Sequence, residues 1–247
     1  MAMLSWVSHT GAEQALYPAT GEVFLEGGTL EGFTGKWQDN PTQIIGVPGA
    51  WVDPRNRVIE PLTGALSLRV MSAHGWHQVR QMFSHNHQGT LVLGGWRLPC
   101  RLAEALPAPG TIPTAGAVVR VALIADGGVW VSPVTATGAV TVTNAGDVPV
   151  WPTIMWKGNG GKVTLPSGAS FILPATPTAR TIDLNRSSSG VVRAADGEID
   201  AALSRTVDSI SECVPVGHRG VFTVPTGATM TYNIGVLDVF AEVDSWI

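Results

Sequence analysis

Short apolar or alternating runs, each closed by Gly, Pro, Asn or Asp, recur along the whole chain. Leu66 to Met71, Leu91 to Leu93, Val118 to Ile124, Val129 to Val131, Val140 to Thr143, Phe171 to Leu173 and Val221 to Val224 all read this way. Runs this short, bounded by turn residues, predict strands of a sandwich or barrel. Only Ala73 to Phe83 has helical spacing, with Trp76, Val79, Met82 and Phe83 on one face. The expected fold class is therefore all-β with one short helix capping a sheet.

Turn chemistry adds detail. Asp126-Gly127 and Asp196-Gly197 each lie between strand-like runs and predict hairpins, since Asp-Gly supplies the positive φ angles of tight turns. Leu165-Pro166-Ser167-Gly168-Ala169-Ser170 and Val224-Pro225-Thr226-Gly227-Ala228-Thr229 share one pattern, which predicts equivalent Pro-initiated corners of one sandwich. Near the end, Met230, Tyr232, Ile234 and Val236 keep one phase of alternation, and Leu237, Val239, Ala241 and Val243 keep the other. A phase slip means one extra residue, so a long strand bent at Gly235, able to pass from one sheet to another, is expected.

The run Leu106-Pro107-Ala108-Pro109-Gly110-Thr111-Ile112-Pro113 reads as a stiff extended connector. It predicts an N-terminal domain over 1–105, a linker over 106–113 and a C-terminal domain over 114–247. Each domain is of ordinary size.

Composition changes the picture at one point. Hydrophobic residues make up 45% of the 247 and charged residues only 14%, against about 25% charged in an ordinary domain. So few charges suit a chain that hides surface in an assembly, and the abundance of apolar residues excludes disorder. The formal net charge of −4 argues against a nucleic-acid binder of the basic kind. Cys100 and Cys213 stand in opposite halves, too few and too far apart for a disulfide scaffold, and read as reduced thiols. Residues Met1 to Thr10 lack a signal-peptide pattern, and no apolar run reaches the ~18 residues of a membrane span, so cytoplasmic synthesis without membrane insertion is expected.

Candidate chemistry is sparse. There is no Gly-x-Ser-x-Gly elbow. Gly158-Asn159-Gly160-Gly161-Lys162-Val163 resembles a phosphate loop but has Trp156 in place of the first glycine and Val163 in place of the metal-ligating hydroxyl. His74, His77, His85 and His87 cluster, yet they lack the i, i+4 spacing and Glu of a zincin and read as a polar helix face running into a loop. Asp183, Asp196, Glu198 and Asp200 fall at turns and strand edges rather than as a catalytic pair. Trp151 and Trp156 are five apart, on opposite strand faces, and do not make one flat sugar platform. No catalytic, cofactor-binding or metal-ligating residue is assigned, no cofactor is expected, and the chain is not expected to be an enzyme.

One segment carries a family likeness. Val142-Thr143-Asn144-Ala145-Gly146-Asp147-Val148-Pro149-Val150-Trp151-Pro152-Thr153-Ile154-Met155-Trp156-Lys157-Gly158 resembles a pattern of distal tail (Dit) and related minor tail proteins of long-tailed siphophages: Asn-x-Gly, a spacer, Pro-x-Ile, then Gly. In physical terms Asn144 and Gly146 form a turn, Pro152 stands at a strand start or edge, and Ile154 points to the core. Arg180 to Leu184, followed by Val191-Val192 and Asp196-Gly197, resembles the family's next hairpin, and Val224-Pro225-Thr226-Gly227 its closing turn. The likeness covers roughly residues 113 to 247; the N-terminal half fits by length, β character and the single helix. The Ser-rich run Arg186 to Gly190 departs from it and suggests a longer, flexible loop.

The resemblance implies an N-terminal ring-forming β belt domain, sandwich- or barrel-like, followed by a C-terminal galectin-like β-sandwich. It also implies a structural protein of the virion tail tip, assembled in the host cytoplasm. Six copies would form a ring around the DNA exit channel. Expected partners are copies of itself, the tail tube protein, and the tip, hub and other minor tail proteins, with no sequence-specific nucleic acid. A mildly acidic ring suits a passage that must not grip DNA. The alternative is a carbohydrate-binding module or tail adhesin, with a weakly bound host-surface glycan as partner.

Overall fold

A computed structural model describes residues 3–53, 56–107, 116–188, 190–208 and 210–243. It divides into two compact units, Met1–Trp130 with Leu237–Ile247, and Val131–Val236.

The first unit opens with β1 (Leu4–Val7), β2 (Glu13–Tyr17) and β3 (Val23–Gly32). Four two-residue strands follow: β4 (Trp37–Gln38), β5 (Pro41–Thr42), β6 (Trp51–Val52) and β7 (Val58–Ile59). Then come β8 (Leu62–Val70), α1 (Ala73–Met82), β9 (Gly89–Leu93), β10 (Trp96–Leu102) and β11 (Ala117–Ala125). These strands pair antiparallel. β1 lies between β2 and β9, and β8 between β3 and β11. β10 joins the two groups, pairing with β9 through Trp96–Cys100 and with β11 through Arg101 and Leu102. A strand that changes neighbours part-way curls the sheet, as in a barrel. Inside lie Leu4, Trp6, Leu66, Leu68, Leu91, Leu93, Leu98, Val121 and Leu123, none accessible beyond 1%.

The predicted helix is α1. Ser72 caps it, its hydroxyl accepting from Gly75 N at 3.0 Å, and Gly75, Trp76, Val79 and Met82 form its buried face. Trp6 locks the helix end, donating Nε1–H to the Met82 carbonyl at 3.0 Å and packing on Phe83 at 4.4 Å between ring centroids. Gly89 lies directly against the Trp6 indole, where any Cβ would overlap the ring.

The second unit comprises β12 (Trp130–Ala136, from Val131 onward), β13 (Ala139–Thr143), β14 (Thr153–Gly158), β15 (Gly161–Thr164), β16 (Ser170–Leu173), β17 (Thr176–Asp183) and β18 (Val192–Ala194). A four-residue helix α2 (Ala201–Ser204), β19 (Arg219–Thr223) and β20 (Ala228–Val236) complete it. Two sheets form a sandwich, in orders β18-β17-β14-β20-β12 and β13-β19-β15-β16. Alternation decides which side chains meet between them: Val140, Val142, Phe222, Val163 and Phe171 from one sheet, Ile154, Trp156, Ile182 and Met230 from the other.

The all-β expectation with one short helix holds; α2 is a single turn that the sequence did not announce. Three expectations are corrected. The division between units falls after Trp130 and again after Val236, not at 106–113. β11, C-terminal to that run, pairs along its whole length with β8, from Ala117↔Val70 to Ala125↔Leu62. Pro and Gly marked a connection between neighbouring strands of one sheet, because composition identifies a loop but not what the loop joins. Residues 108–113 themselves lie outside the described residues.

Asp126-Gly127 does turn the chain, with Gly128 N donating to the Ala125 carbonyl at 3.1 Å. However, β11 is already flanked by β8 and β10, so no hairpin with it results. Asp126 serves instead as a bidentate acceptor for Arg101 at 2.9 and 3.0 Å. The long bent final strand is also corrected, since β20 ends at Val236 and Val239–Ala241 is a 3-10 turn. The Asp238 carboxylate accepts from Phe240 N at 3.0 Å, so a cap replaces strand pairing.

Candidate interaction surfaces

From Lys36 to Trp51 every residue is exposed. β4 pairs with β7 and, farther out, β5 pairs with β6, so the chain from β3 to β8 runs out and back as a narrow two-stranded arm. At its tip Val47 N donates to the Ile44 carbonyl at 3.1 Å, and Gly46 and Gly49 take positive φ angles of 84° and 90°. This turn leaves Ile44, Ile45 and Val47 in water; Ile45 is 103% exposed. Trp51 and Val58 are exposed along the shaft. The shaft carries ion pairs Lys36–Glu60 at 2.6 Å and Arg57–Asp39 at 2.7 Å, and Asn40 Nδ2 donates to the Asn56 carbonyl at 2.7 Å. Exposed pairs of this kind contribute ~0–1 kcal/mol each and give the arm no core. A two-stranded ribbon alone is marginal in water.

The root is the opposite. Phe33, 1% exposed, adopts a left-handed φ of 63°, its N–H donating to the Thr63 carbonyl at 3.0 Å. Its own carbonyl accepts from Trp130 Nε1 at 2.8 Å, and the two rings meet edge to face at 6.4 Å. Gly64 lies under the Phe33 ring, where a Cβ would overlap it. Gly35 N donates to the Leu237 carbonyl at 2.7 Å. The arm is thus fixed firmly at its base and unsupported beyond it.

In the second unit the segment that carried the family likeness folds down tightly. Asn144 is 1% exposed and acts as a hub: Nδ2 donates to the carbonyls of Val148 and Val214, both at 2.9 Å, while Oδ1 accepts from Gly146 N at 3.0 Å. Asn144 N donates to the His218 carbonyl, Asp147 N to the Gly235 carbonyl, and Val150 forms a two-way bridge with Val214. Ile154 is fully buried, as expected. Ile182↔Val192 and Arg180↔Ala194 place β17 and β18 as the anticipated hairpin. The two Pro-initiated turns have similar glycine φ angles, 87° and 86°, but different uses: one closes the β15–β16 hairpin, the other carries the chain from β19 in one sheet to β20 in the other.

The remaining candidates are dispersed. His74 and His77 pair with Gln78 and Gln81 one turn on, at 3.3 and 2.9 Å, and His87 stacks on His9 at 4.5 Å. Among the described residues no three His, Cys, Asp or Glu side chains could hold a metal ion. Asp183 and Asp196 accept from backbone N–H groups two residues on. Asp200 caps α2, accepting from Leu203 N at 3.0 Å, and pairs with Arg180 at 3.0 Å; the Leu203 N–H and then Arg180 hold its pKa below the usual Asp value. The glycine-rich run is the turn from β14 to β15 at Asn159-Gly160, with Gly161, Lys162 and Val163 already in β15. Both cysteines are free, and burial pushes the Cys100 thiol up to about 12, which makes it inert near neutrality. Trp6, Trp76, Trp130 and Trp156 are core residues, whereas Trp37 and Trp51 belong to the arm. Sequence reasoning missed the arm. Its one signal is a stretch rich in Gly, Pro and Asn with isolated apolar residues in neither strand nor helix phase.

Fold and surfaces together define a two-unit all-β chain that leaves a long apolar-tipped arm uncovered. No protein-family model and no curated protein matches the sequence. Among solved structures it is similar to the Dit protein (gp 19.1) of phage SPP1, with a TM-score of 0.57 at 11% identity over 95% of this chain and 99% of that one. That protein is described as a paradigm of the hub adsorption apparatus in phages that infect Gram-positive bacteria. A chain of the phage P2 baseplate in its activated conformation with Ca matches at 0.54 and 8% identity over 94% and 98%. The same baseplate with Sr matches at 0.53 and 8%. At such identities the likeness is one of fold. It covers both units, including the N-terminal half where residue motifs were silent.

Proposed function

We propose that the chain is a structural protein of the virion tail tip of a long-tailed bacteriophage, of the distal tail type. Six copies form a ring that joins the tail tube to the tip and baseplate proteins and surrounds the passage for DNA. The observation that carries this reading is the likeness of fold across both units to a Dit protein and to a baseplate chain. The arm supports it, because a long apolar-tipped projection without a core of its own gains stability only against a neighbour. Low charge suits extensive burial in an assembly.

Catalysis has no part in the reading, since Asp183, Asp196 and Asp200 serve turns and a helix cap and His74 and His77 pair with glutamines. Sugar binding by the second unit ranks lower, because Trp156, a candidate stacking ring, lies in the core.

Light scattering together with negative-stain imaging of the purified chain tests the proposal. The expected result is a mass about six times the 25.9 kDa chain, or twice that for stacked rings, with six-fold images. A monomer at every concentration, with tail tube protein present as well, overturns it.

A further inference from the structure

We infer that the open edge of β13 pairs antiparallel with β13 of a second copy, so that two sandwiches share one continuous sheet. β13 ends its sheet and pairs only with β19. Val224 N donates to the Gly138 carbonyl at 3.0 Å and Asn144 N to the His218 carbonyl at 2.9 Å, so the even-numbered residues of β13 bond to β19. The backbone groups of Ala139, Thr141 and Thr143 therefore point away from the sheet, and among the described residues they have no partner. All three residues are exposed.

Natural sheets guard their edges with charge, proline, a bulge or a covering segment. The other end strands of the two large sheets follow that rule. β2 carries Glu13 and stops before Pro18, and β3 carries Glu26 and Glu31 and shifts register between Leu25 and Leu30. β16 stops before Pro174, and β18 is covered by the Arg193↔Ile199 bridge. The Ala-Val-Thr-Val-Thr of β13 has no charge, proline or register shift.

The strand is also self-complementary. With Thr141 opposite Thr141 of the second copy, Ala139 faces Thr143 and Val140 faces Val142, so β-branched side chains meet and no like charges oppose. Only this register gives all three outward residues a partner within the strand. The contact is two-fold and isologous, unlike the head-to-tail contacts of a ring, so in the assembly proposed above it joins one ring to another. One pair of short strands buries far less than the ~1,200–2,000 Å² of a stable interface, so the contact is weak alone and gains where copies are already gathered.

Disulfide trapping tests the pairing and its register. In a Cys213→Ser background, Thr141→Cys sets like residues across the two-fold axis at about 5.5 Å between Cα atoms, within disulfide reach, whereas Thr143→Cys sets them roughly 14 Å apart. Mild oxidation of the concentrated full chain is expected to give a reducible dimer from Thr141→Cys at least about tenfold faster than from Thr143→Cys. The Ala139→Cys/Thr143→Cys chain is expected to recover the fast rate. Equal rates from the two single variants, or no dimer from Thr141→Cys, overturn the edge pairing; six-fold images of the same sample then leave the ring reading intact. A fast Thr141→Cys dimer from a sample without rings supports the edge pairing and counts against the ring alone.

Discussion

Two segments of similar composition meet opposite fates in this molecule. Residues 33–60 and 143–153 both mix Asn, Gly and Pro with isolated large apolar residues, and both connect strands. The second is pulled onto its sandwich because Asn144 satisfies three backbone groups at once and Val150 finds Val214 as a bridge partner. The first is anchored at Phe33 and Gly35 and then runs out into solvent, its backbone groups paired across a narrow ribbon and its side chains paired only with one another along the exposed shaft. An irregular segment folds down when a buried polar hub can absorb its orphan N–H and C=O groups. Without such a hub it projects, and its apolar residues become contact surface.

Substitutions can break this contrast. The largest effect is expected at the arm's root: Phe33→Ala removes a buried ring held against Trp130 and should cost about 3–5 kcal/mol, read as a lower denaturation midpoint. A loss under about 1 kcal/mol would mean that the root is not the anchor described. Next comes the hub. Asn144→Ala leaves the buried Gly146 N–H without its acceptor, while the Val214 carbonyl keeps Val150 N, so a loss of about 1–3 kcal/mol is expected, with faster hydrogen exchange at Gly146. Exchange unchanged there would contradict the hub.

A smaller effect sharpens the picture of the second unit in acid. Asp200 has its pKa lowered in the folded state by the Leu203 N–H and by Arg180. Its stabilising contribution is therefore fully present above the unfolded Asp value of ~3.9 and is lost as pH falls from there through the folded value. Asp200→Asn should flatten the fall in melting temperature below about pH 4, and an identical acid limb in both proteins would count against the cap. The smallest effect on stability is expected at the tip, where Ile45→Ser should stay within about 0.5 kcal/mol of the parent while reducing self-association in sedimentation. Unchanged sedimentation would remove the arm from the assembly surface.

Legibility differed with the kind of signal. The strands β8, β9, β11, β13, β16 and β19, the helix and the β17–β18 hairpin were readable because period and turn chemistry are local. Asn144, Gly146 and Ile154 were placed by motif, although the hub's bond to Val214, 70 residues away, was not foreseeable. The arm escaped notice because residues with no core beneath them have no period to impose.

The sequence by itself determined the class of fold, the position of many strands, the inward Ile154, the helix with its Trp76 face, and the scarcity of catalytic motifs. These follow from side-chain alternation and residue type, which are properties of neighbours along the chain. Tertiary structure alone decided that β11 belongs with β8, that one Pro-Thr-Gly turn changes sheets while its Pro-Ser-Gly twin does not, and that the chain after Val236 ends in a capped 3-10 turn. It also decided that residues 36–51 stay uncovered. Each of these depends on which surfaces remain free once distant strands have paired, and no local pattern encodes that.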